Sequence, residues 1–211
     1  MSELRRLLRE NRWFFLPYLL ALIIVGTLQL LTTQTQLMRW VNIRNTPTAD
    51  VFFTYATYLG DGAIFVIGCI ILLIYNRRMG ILAFASFALS TLVSVFLKTV
   101  VFDGSPRPLR FFERSISEYH LIEGLDIHSY NSFPSGHTIS AFALFSLLAF
   151  LDKRKNKGWV YFFIAALIGY SRVYLFQHFV EDVFVGSLIG TGASVLVYLA
   201  VGKWVSRASG P

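Results

Sequence analysis

Long apolar stretches, separated by short polar segments, follow one another along most of the chain. Six of them stand out, at residues 13–33, 62–75, 81–102, 138–151, 159–174 and 179–201. A helix that crosses a bilayer needs roughly 20 mostly apolar residues; the first, third and last stretches reach that length, and the second lengthens if it starts near Val51. The pattern predicts an all-α, polytopic membrane helix bundle of about six transmembrane helices, in a single domain over residues 1–211.

Two segments near the N-terminal half need a separate interpretation. Residues 46–58 predict a helix at the membrane interface, because Pro47 suits the first turn of a helix. Residues 5–12, RRLLRENR, precede the first apolar stretch, an order that secretory signals share. No small-residue cleavage site follows Leu31, so we expect an uncleaved anchor.

Composition supports a membrane protein and argues against a nucleic-acid partner. Hydrophobic residues make up 55% of the chain and charged residues 15%, against roughly 25% charged in soluble domains. The net charge of +7 comes from short basic clusters between apolar stretches, which is typical of membrane topology and not of a nucleic-acid-binding face. The single cysteine, Cys69, excludes an intrachain disulfide, and its apolar surroundings predict a packed position.

The basic clusters also predict an orientation. Twelve of the 19 Lys and Arg residues fall on one side of a six-span arrangement: Arg5, Arg6, Arg9, Arg12, Arg77, Arg78, Lys153, Arg154, Lys155, Lys157, Lys203 and Arg207. The positive-inside rule makes that side cytoplasmic, with both termini on it. The connection of residues 103–134 then faces outward. A loop of this length without clear periodicity is usually functional or disordered, and we expect a lid or a substrate platform.

The polar stretch SRVYLFQHFVED places several ionisable groups between two apolar stretches. His178 and Asp182 are four residues apart and would share one face of a helix. The aspartate can accept the ring N–H and leave the other nitrogen as a nucleophile or base. Arg172 carries a planar fork of donors that suits phosphate oxygens. A buried ion network without chemistry is the alternative, but ionisable groups near bilayer depth are usually functional.

Two more clusters fall at the same predicted side of the membrane. The sequence PSGH at residues 134–137 precedes a predicted helix, whose free N–H groups form an anion site that Gly136 lets a ligand approach closely. Ser135 either adds a hydroxyl donor or only caps the helix. Lys98 and Arg107 supply two further cations, unless they only extend toward lipid headgroups.

Together the three clusters contain the groups that phosphoryl transfer requires. The transferring group needs positive charge around its oxygens, an in-line nucleophile and an acid for the departing oxygen. The sequence has no DxD, HExxH or carboxylate cluster that suits magnesium or zinc. We therefore expect neither a metal nor another cofactor.

These motifs resemble those of the type 2 phosphatidic acid phosphatase (PAP2) superfamily, membrane lipid phosphatases that share a site design with glucose-6-phosphatase and vanadium haloperoxidases. The family motif PSGH is complete at residues 134–137, and SR-x5-H-x3-D is complete at Ser171, Arg172, His178 and Asp182. The motif K-x6-RP departs, because eight residues separate Lys98 from Arg107-Pro108. The resemblance covers about residues 50–200 and implies a PAP2/haloperoxidase-like core.

The resemblance also implies a role for each residue. His178 would attack phosphorus and form a phosphohistidine, Asp182 would orient it, and His137 would protonate the leaving group. Five residues would hold the phosphate: Lys98, Arg107, Ser135, Gly136 and Arg172. The implied activity is a metal-independent hydrolysis of a phosphomonoester or pyrophosphate of a bilayer lipid at the outer membrane face.

Three alternatives stay open. A lipid phosphotransferase would pass the same phosphoryl group to an alcohol, a vanadium haloperoxidase would share the residues but is soluble, and a lipid-binding or transport relative would not need His178. The sequence does not choose among phosphatidic acid, phosphatidylglycerol phosphate, an undecaprenyl pyrophosphate and a lipid A phosphate, and it does not give the oligomeric state. The compact length predicts a bacterial inner-membrane protein whose active site faces the periplasm.

Several residues near these motifs receive weaker interpretations. Four aromatic rings either admit an acyl or prenyl chain or face the bilayer: Phe111, Phe112, Phe133 and Phe176. Two histidines of the long connection are interpreted as non-catalytic: His120 and His128. The GxxxG spacing of Gly186 and Gly190 indicates close helix packing.

Overall fold

The structure, a computed structural model, describes residues 2–206. Within this range the chain forms ten α-helices and no β-strand. They are α1 (Glu3–Glu10), α2 (Arg12–Leu31), α3 (Gln34–Asn42), α4 (Pro47–Ala56), α5 (Gly62–Tyr75), α6 (Arg77–Phe96), α7 (Pro108–Phe111), α8 (Gly136–Leu151), α9 (Gly158–Tyr174) and α10 (Val180–Ser206). The prediction of an all-α helix bundle is confirmed.

Each predicted span coincides with a helix to within a few residues, but not every helix is long enough to cross a bilayer. In the described part of the chain, α2, α6 with its continuation to Val101, and α10 have the required length and apolar character. The segments Pro47–Gly60 and Gly62–Tyr75 add a fourth crossing if this pair, bent by 53°, is one broken span. The protein is an integral membrane protein, and the count of six spans stays a prediction.

Helix α8 lies at the centre of the bundle and contacts α5, α6, α9 and α10. Glycines on α10 allow the closest of these contacts. A Cβ at Gly190 would lie 2.3 Å from the carbonyl oxygen of Ile139, and a Cβ at Gly186 would lie 3.0 Å from that of Ser135. The GxxxG spacing therefore brings two helices of the same chain together. Cys69 is fully buried in the same core, as its apolar surroundings predict.

Short polar caps define several helix ends that the hydrophobic pattern does not predict. Ser2 caps α1, and Thr33 forms a capping box with Gln36 at the start of α3. Thr46 caps α4, with Pro47 in its first turn as expected. The position of α4 relative to the membrane stays a prediction. Among the cations assigned to the cytoplasmic side, Arg207 lies outside the described residues, and the side chain of Lys203 is not described.

The long connection of residues 103–134 is folded against the bundle. It contains α7 and a 3₁₀ segment at Glu113–Glu118. The side-chain amide of Asn42 donates to the carbonyl oxygen of His120 (2.8 Å) and accepts from its N–H (2.9 Å). The His120 ring lies 2.9 Å from Oδ2 of Asp50, and the hydroxyl of Tyr174 donates to the other oxygen, Oδ1, of the same carboxylate. His120 therefore fastens the connection to α3, α4 and α9.

For Phe112 and Phe176, the predictions that the ring admits an acyl or prenyl chain or faces the bilayer are both wrong. Phe112 and Phe176 are only 5% and 1% exposed and pack with Met38, Val173 and Phe179. The rings form a small second core between the connection and the turn that joins α9 to α10, and they neither face the bilayer nor leave room for an acyl chain.

Candidate active site

A cavity of about 700 Å³ opens where α5 and α8 begin and where α6 and α9 end. Six of the predicted site residues line it: Lys98, Arg107, Gly136, His137, Arg172 and His178. They come from three motifs that the chain separates by up to 80 positions, and the fold brings them to the lining of one cavity. Residues 122–126 and His128 of the long connection also line it.

His178 and Asp182 form the expected pair, but not on one helix face. Helix α10 begins at Val180, so His178 belongs to the turn before it. The Nδ1 atom of His178 lies 3.1 Å from Oδ2 of Asp182. The same oxygen accepts from the backbone N–H of Phe179 (2.9 Å) and from the hydroxyl of Ser132 (2.5 Å). Both side chains of the pair are almost fully buried, and this leaves the Nε2 atom of His178 as the ring nitrogen without an aspartate partner.

The surroundings of His178 favour its neutral form. Burial, followed by the positive charges of Arg107, Arg172 and Lys98, lowers the pKa of His178 well below its usual value. A neutral imidazole whose Nδ1–H points at Asp182 has a free electron pair on Nε2. This is the state that a nucleophile or general base requires.

The guanidinium of Arg172 is buried yet incompletely paired. Its side chain, 7% exposed, donates from Nη1 to the hydroxyl of Thr57 (2.6 Å), while Nε has no hydrogen-bond partner. An unpaired buried donor is costly unless a ligand satisfies it. Arg107 is held by its own contacts, since Nε donates to the carbonyl of Tyr130 and Nη1 to the side chain of Gln177. An anion with several oxygens suits both groups.

The two extra residues between Lys98 and Arg107 do not keep Lys98 from the cavity. The end of α6 continues as a π-helical turn at Leu97–Val101, and the chain then reverses through Gly104, whose φ of +69° suits glycine. The Arg107 N–H returns to the carbonyl of Ser129 at 2.9 Å. The Lys98 ammonium donates to the carbonyl oxygen of Asn131 at 2.6 Å and lines the cavity. The two additional residues between Lys98 and Arg107 are therefore accommodated in the turn after α6.

The start of α8 supplies backbone donors and the second histidine. The Ser135 hydroxyl accepts from the N–H (3.4 Å) and the hydroxyl (2.9 Å) of Thr138, so the side chain caps the helix and is fully buried. Its predicted contact with phosphate stays a prediction. His137 faces the cavity, with Nε2 3.9 Å from a carboxylate oxygen of Asp61. A helix start of this kind, with Gly136 at its first position, is suited to an anion.

Four further side chains belong to the site although the sequence analysis did not name them: Thr57, Asp61, Ser132 and Gln177. Ser132 holds Asp182, and Gln177 links Arg107 to the carbonyl of Asp126 (2.7 Å). Ser132 and Gln177 lie next to recognised motifs, so their polar character in an apolar chain was a signal. Thr57 and Asp61 reach the site only through tertiary packing, and no local pattern marks them.

Side chains that commonly ligate metals do not cluster in the described residues. Among residues 2–206, no group of three or more His, Cys, Asp and Glu side chains is placed to hold a metal ion. The polar groups around the cavity are instead mostly cations and hydrogen-bond donors, which suit an anionic ligand.

The motifs and the helical core together define a family. The family model of the PAP2 superfamily matches residues 79–206, more than half of the chain, and the protein belongs to this superfamily. A 73-residue stretch is 37% identical to the bacitracin transport permease protein BcrC of Bacillus licheniformis, over 35% of each chain. A 68-residue stretch is 46% identical to phosphatidylglycerophosphatase B of Bacillus subtilis (strain 168), over 28% of this chain and 34% of that one. The matches thus span about a third of the length of these curated relatives.

Solved structures agree with this assignment. The crystal structure of Aquifex aeolicus LpxE is similar with a TM-score of 0.63 and 34% identity, over 77% of this chain and 93% of that one. A transmembrane PAP2-type phosphatidylglycerolphosphate phosphatase from Bacillus subtilis is similar with a TM-score of 0.65 over 95% of this chain and 98% of that one. At 23% identity, the second likeness concerns the fold alone.

Proposed function

We propose that this protein is a membrane lipid phosphatase, a hydrolase that releases phosphate from a phosphomonoester or pyrophosphate of a bilayer lipid without a metal ion. The observation that carries the proposal is the single cavity lined by Lys98, Arg107, Arg172, His137 and His178, with Asp182 behind His178. Membership of the PAP2 superfamily and the likeness to phosphatases support the same reaction.

The proposed first step transfers the phosphoryl group to His178. The electron pair on its Nε2 attacks phosphorus while the bond to the lipid oxygen breaks. His137, which the negative charge of the bound phosphate group keeps protonated, gives its proton to that oxygen. The new phosphohistidine is an imidazolium whose Nδ1–H stays hydrogen-bonded to Asp182. The three cations and the N–H groups at the start of α8 stabilise the charge on the equatorial oxygens.

The second step releases phosphate. Water attacks phosphorus, the now neutral His137 takes a proton from the water, and the bond between phosphorus and Nε2 breaks. His178 returns to its neutral form and His137 to its protonated form, so the cycle closes without a co-reactant. Because the fold already holds both histidines in place, less entropy is lost in reaching the transition state, and the barrier is lower.

A phosphate-release assay tests this proposal. The purified protein is offered phosphatidic acid, phosphatidylglycerol phosphate, undecaprenyl pyrophosphate and a lipid A phosphate, each with and without a chelator. We expect release from at least one lipid, unchanged by the chelator. His178→Ala should abolish release, whereas His128→Ala, which changes another histidine of the same cavity, should retain most of it. Release that survives in His178→Ala would overturn the phosphohistidine mechanism.

Two other functions are separated by the same experiment. A lipid phosphotransferase would form a new phospholipid in place of free phosphate. A transport function is favoured by one observation, the 37% identity to a protein named as a bacitracin transport permease. In that case His178→Ala would leave the function intact, and no lipid of the panel would release phosphate.

The proposed location follows from the charge pattern. The candidate active site lies at the ends of α6 and α9 that are remote from the basic clusters of Arg77, Arg78 and Lys153. By the positive-inside rule, the site faces the exterior, which is the periplasm if the protein sits in a bacterial inner membrane. Both termini are then cytoplasmic, and the lipid phosphate is reached from the outer leaflet.

A further inference from the structure

A second cavity lies at the opposite end of the bundle, far from the candidate active site. It has a volume of about 480 Å³ and is formed by the end of α5, the start of α6, the end of α8 and the first turns of α9. The 16 residues of α8 place the two cavities about 24 Å apart along the helix axis. The volume is within the range of small-ligand sites.

The walls of this second cavity are divided by chemistry. The apolar lining consists of Leu72, Tyr75, Met79, Leu148 and Leu151. The polar lining, called the rim below, consists of Asp152, Lys153, Arg154 and Tyr161. An amphiphile with an apolar chain and a charged head matches this division.

Hydrogen bonds within the protein already occupy both carboxylate oxygens of Asp152. One of its oxygens accepts from the backbone N–H of Arg154 and the other from the hydroxyl of Tyr161, both at 2.8 Å. Its side chain is only 12% exposed. The Nε atom of Arg154 lies 3.5 Å from one of its oxygens, but the Arg154 side chain is 69% exposed. Lys153 has no ion-pair partner among the residues that the structure describes. The charge presented at the rim is therefore positive.

The carbonyl oxygens at the end of α8 do not repel an anion at this rim, because Lys155 neutralises them. The carbonyl oxygens at a helix end carry partial negative charge, but the Lys155 ammonium donates to those of Phe150 (2.6 Å) and Ala149 (3.2 Å) and to the side chain of Asn11 (3.1 Å). Lys155 is thus occupied in capping α8. Lys153 and the exposed guanidinium of Arg154, which meets Asp152 only through Nε, remain accessible to a ligand.

We infer that this second cavity is a binding site for an anionic membrane lipid. Its headgroup phosphate contacts Lys153 and Arg154, and the upper part of an acyl chain lies on Leu72 and Leu148. The inference does not depend on the proposed phosphatase activity, because none of these residues lines the active-site cavity. Occupation of the site would connect the α5–α6 turn to the α8–α9 turn and stabilise the bundle at this end.

Lipid retention by the detergent-purified, full-length protein tests the inference. The probes are dioleoylphosphatidylglycerol, dioleoylphosphatidylcholine and inorganic phosphate, and the readouts are bound lipid by native mass spectrometry and the shift in Tm. Phosphatidylglycerol carries a phosphodiester, so a phosphomonoesterase would not consume it. We expect binding and a higher Tm with phosphatidylglycerol, and neither with phosphatidylcholine.

The matched variants remove the same charge at two places. Lys153→Gln with Arg154→Gln should weaken phosphatidylglycerol binding by about thirtyfold, at about 1 kcal/mol for each cation. Arg5→Gln with Arg9→Gln removes two exposed cations of α1 outside the cavity and should change the affinity by less than about threefold. An equal loss in both double variants would mean unspecific attraction and would overturn the site. Stabilisation by inorganic phosphate as large as that by the lipid would assign the site to free phosphate instead.

Discussion

Asp182 is the residue on which three parts of the chain meet. Its Oδ2 atom accepts from Nδ1 of His178, from the N–H of Phe179 and from the hydroxyl of Ser132. The last of these joins α10 to the segment before α8. A buried carboxylate with three donors keeps one orientation, and it therefore fixes the direction in which the His178 ring presents Nε2 to the cavity.

Ser132 is predicted to position the catalytic pair without contacting the substrate. Ser132→Ala removes one donor from Asp182, and a hydrogen bond to a charged group contributes about 1.5 kcal/mol or more. We expect kcat to fall about tenfold with little change in KM, since the cations that hold phosphate are untouched. Steady-state kinetics on a lipid that the panel identifies measures both constants.

Ser146→Ala is the control for this variant. Ser146 is also fully buried, but its hydroxyl donates only to the carbonyl of Ala143 in its own helix. It should leave kcat within about twofold of the wild type. If both variants lower kcat equally, the effect of Ser132 is general destabilisation and not the orientation of Asp182.

His178 makes the free energy of unfolding depend on pH. Its pKa is lowered in the folded state by burial and by the neighbouring cations, whereas in the unfolded chain it titrates near about 6.5. Below that pH the unfolded state binds a proton that the folded state does not, so stability falls as the pH falls, by up to about 1.4 kcal/mol per pH unit until the folded pKa is reached. His178→Gln should flatten this dependence between pH 7.5 and 5.

The measurement is Tm in detergent across that pH range. His128→Gln serves as the comparison, because His128 is exposed in the long connection. A wild-type Tm that drops no more steeply than that of His178→Gln would contradict the lowered pKa.

At the scale of elements, the turn after α6 shows why the number of residues between two motif positions does not predict their distance in space. The spacing between Lys98 and Arg107 differs from the family pattern, and the sequence alone leaves the reach of Lys98 open. In the structure, the π-helical turn and the reversal at Gly104 lie between the two residues, and Lys98 and Arg107 both line the same cavity. A residue count assumes a uniform rise per residue, and such a turn changes the rise over a few residues. The same limit applies to Thr57, whose contact with Arg172 joins residues 115 positions apart.

The packing of α10 on α8 gives a sharp test at this scale. Gly190→Ala would place a methyl group 2.3 Å from the backbone carbonyl of Ile139, and a backbone atom cannot turn aside as a flexible side chain can. We expect a loss of about 2 kcal/mol or more in stability and lower activity, because α8 carries His137 and α10 carries Asp182. Tm and phosphate release measure the two effects.

Gly192→Ala is the matched control in the same helix. A Cβ at this position meets no atom within 4 Å, and alanine favours a helix over glycine by about 1 kcal/mol. This variant should therefore be neutral or slightly more stable. A Gly190→Ala protein as stable as the Gly192→Ala protein would show that the two helices can separate without cost.

At the scale of the whole molecule, the apolar pattern locates helices better than it counts crossings. It places α5 at its observed bounds and α9 within one residue, because an apolar stretch between polar ends has few other solutions in a bilayer. The pattern cannot show that α4 and α5 meet at a 53° bend, which depends on how both pack on α8 and α9. Short helices with polar faces, such as α1 and α3, carry no long apolar signal.

The orientation of the bundle in the membrane is a prediction for the whole molecule that rests on the positions of single charged residues. The basic clusters place the turn between α8 and α9 on the cytoplasmic side and the connection of residues 103–134 outside. Cys69 is fully buried, so the wild-type protein gives little background with a membrane-impermeant maleimide. In intact spheroplasts of a bacterial host, Glu123→Cys should react and Lys157→Cys should not, while both should react after lysis. Both native side chains are exposed, so access to reagent depends on the side of the membrane and not on burial. The reverse pattern would place the candidate active site in the cytoplasm, where the proposed substrate would have to be a lipid of the inner leaflet.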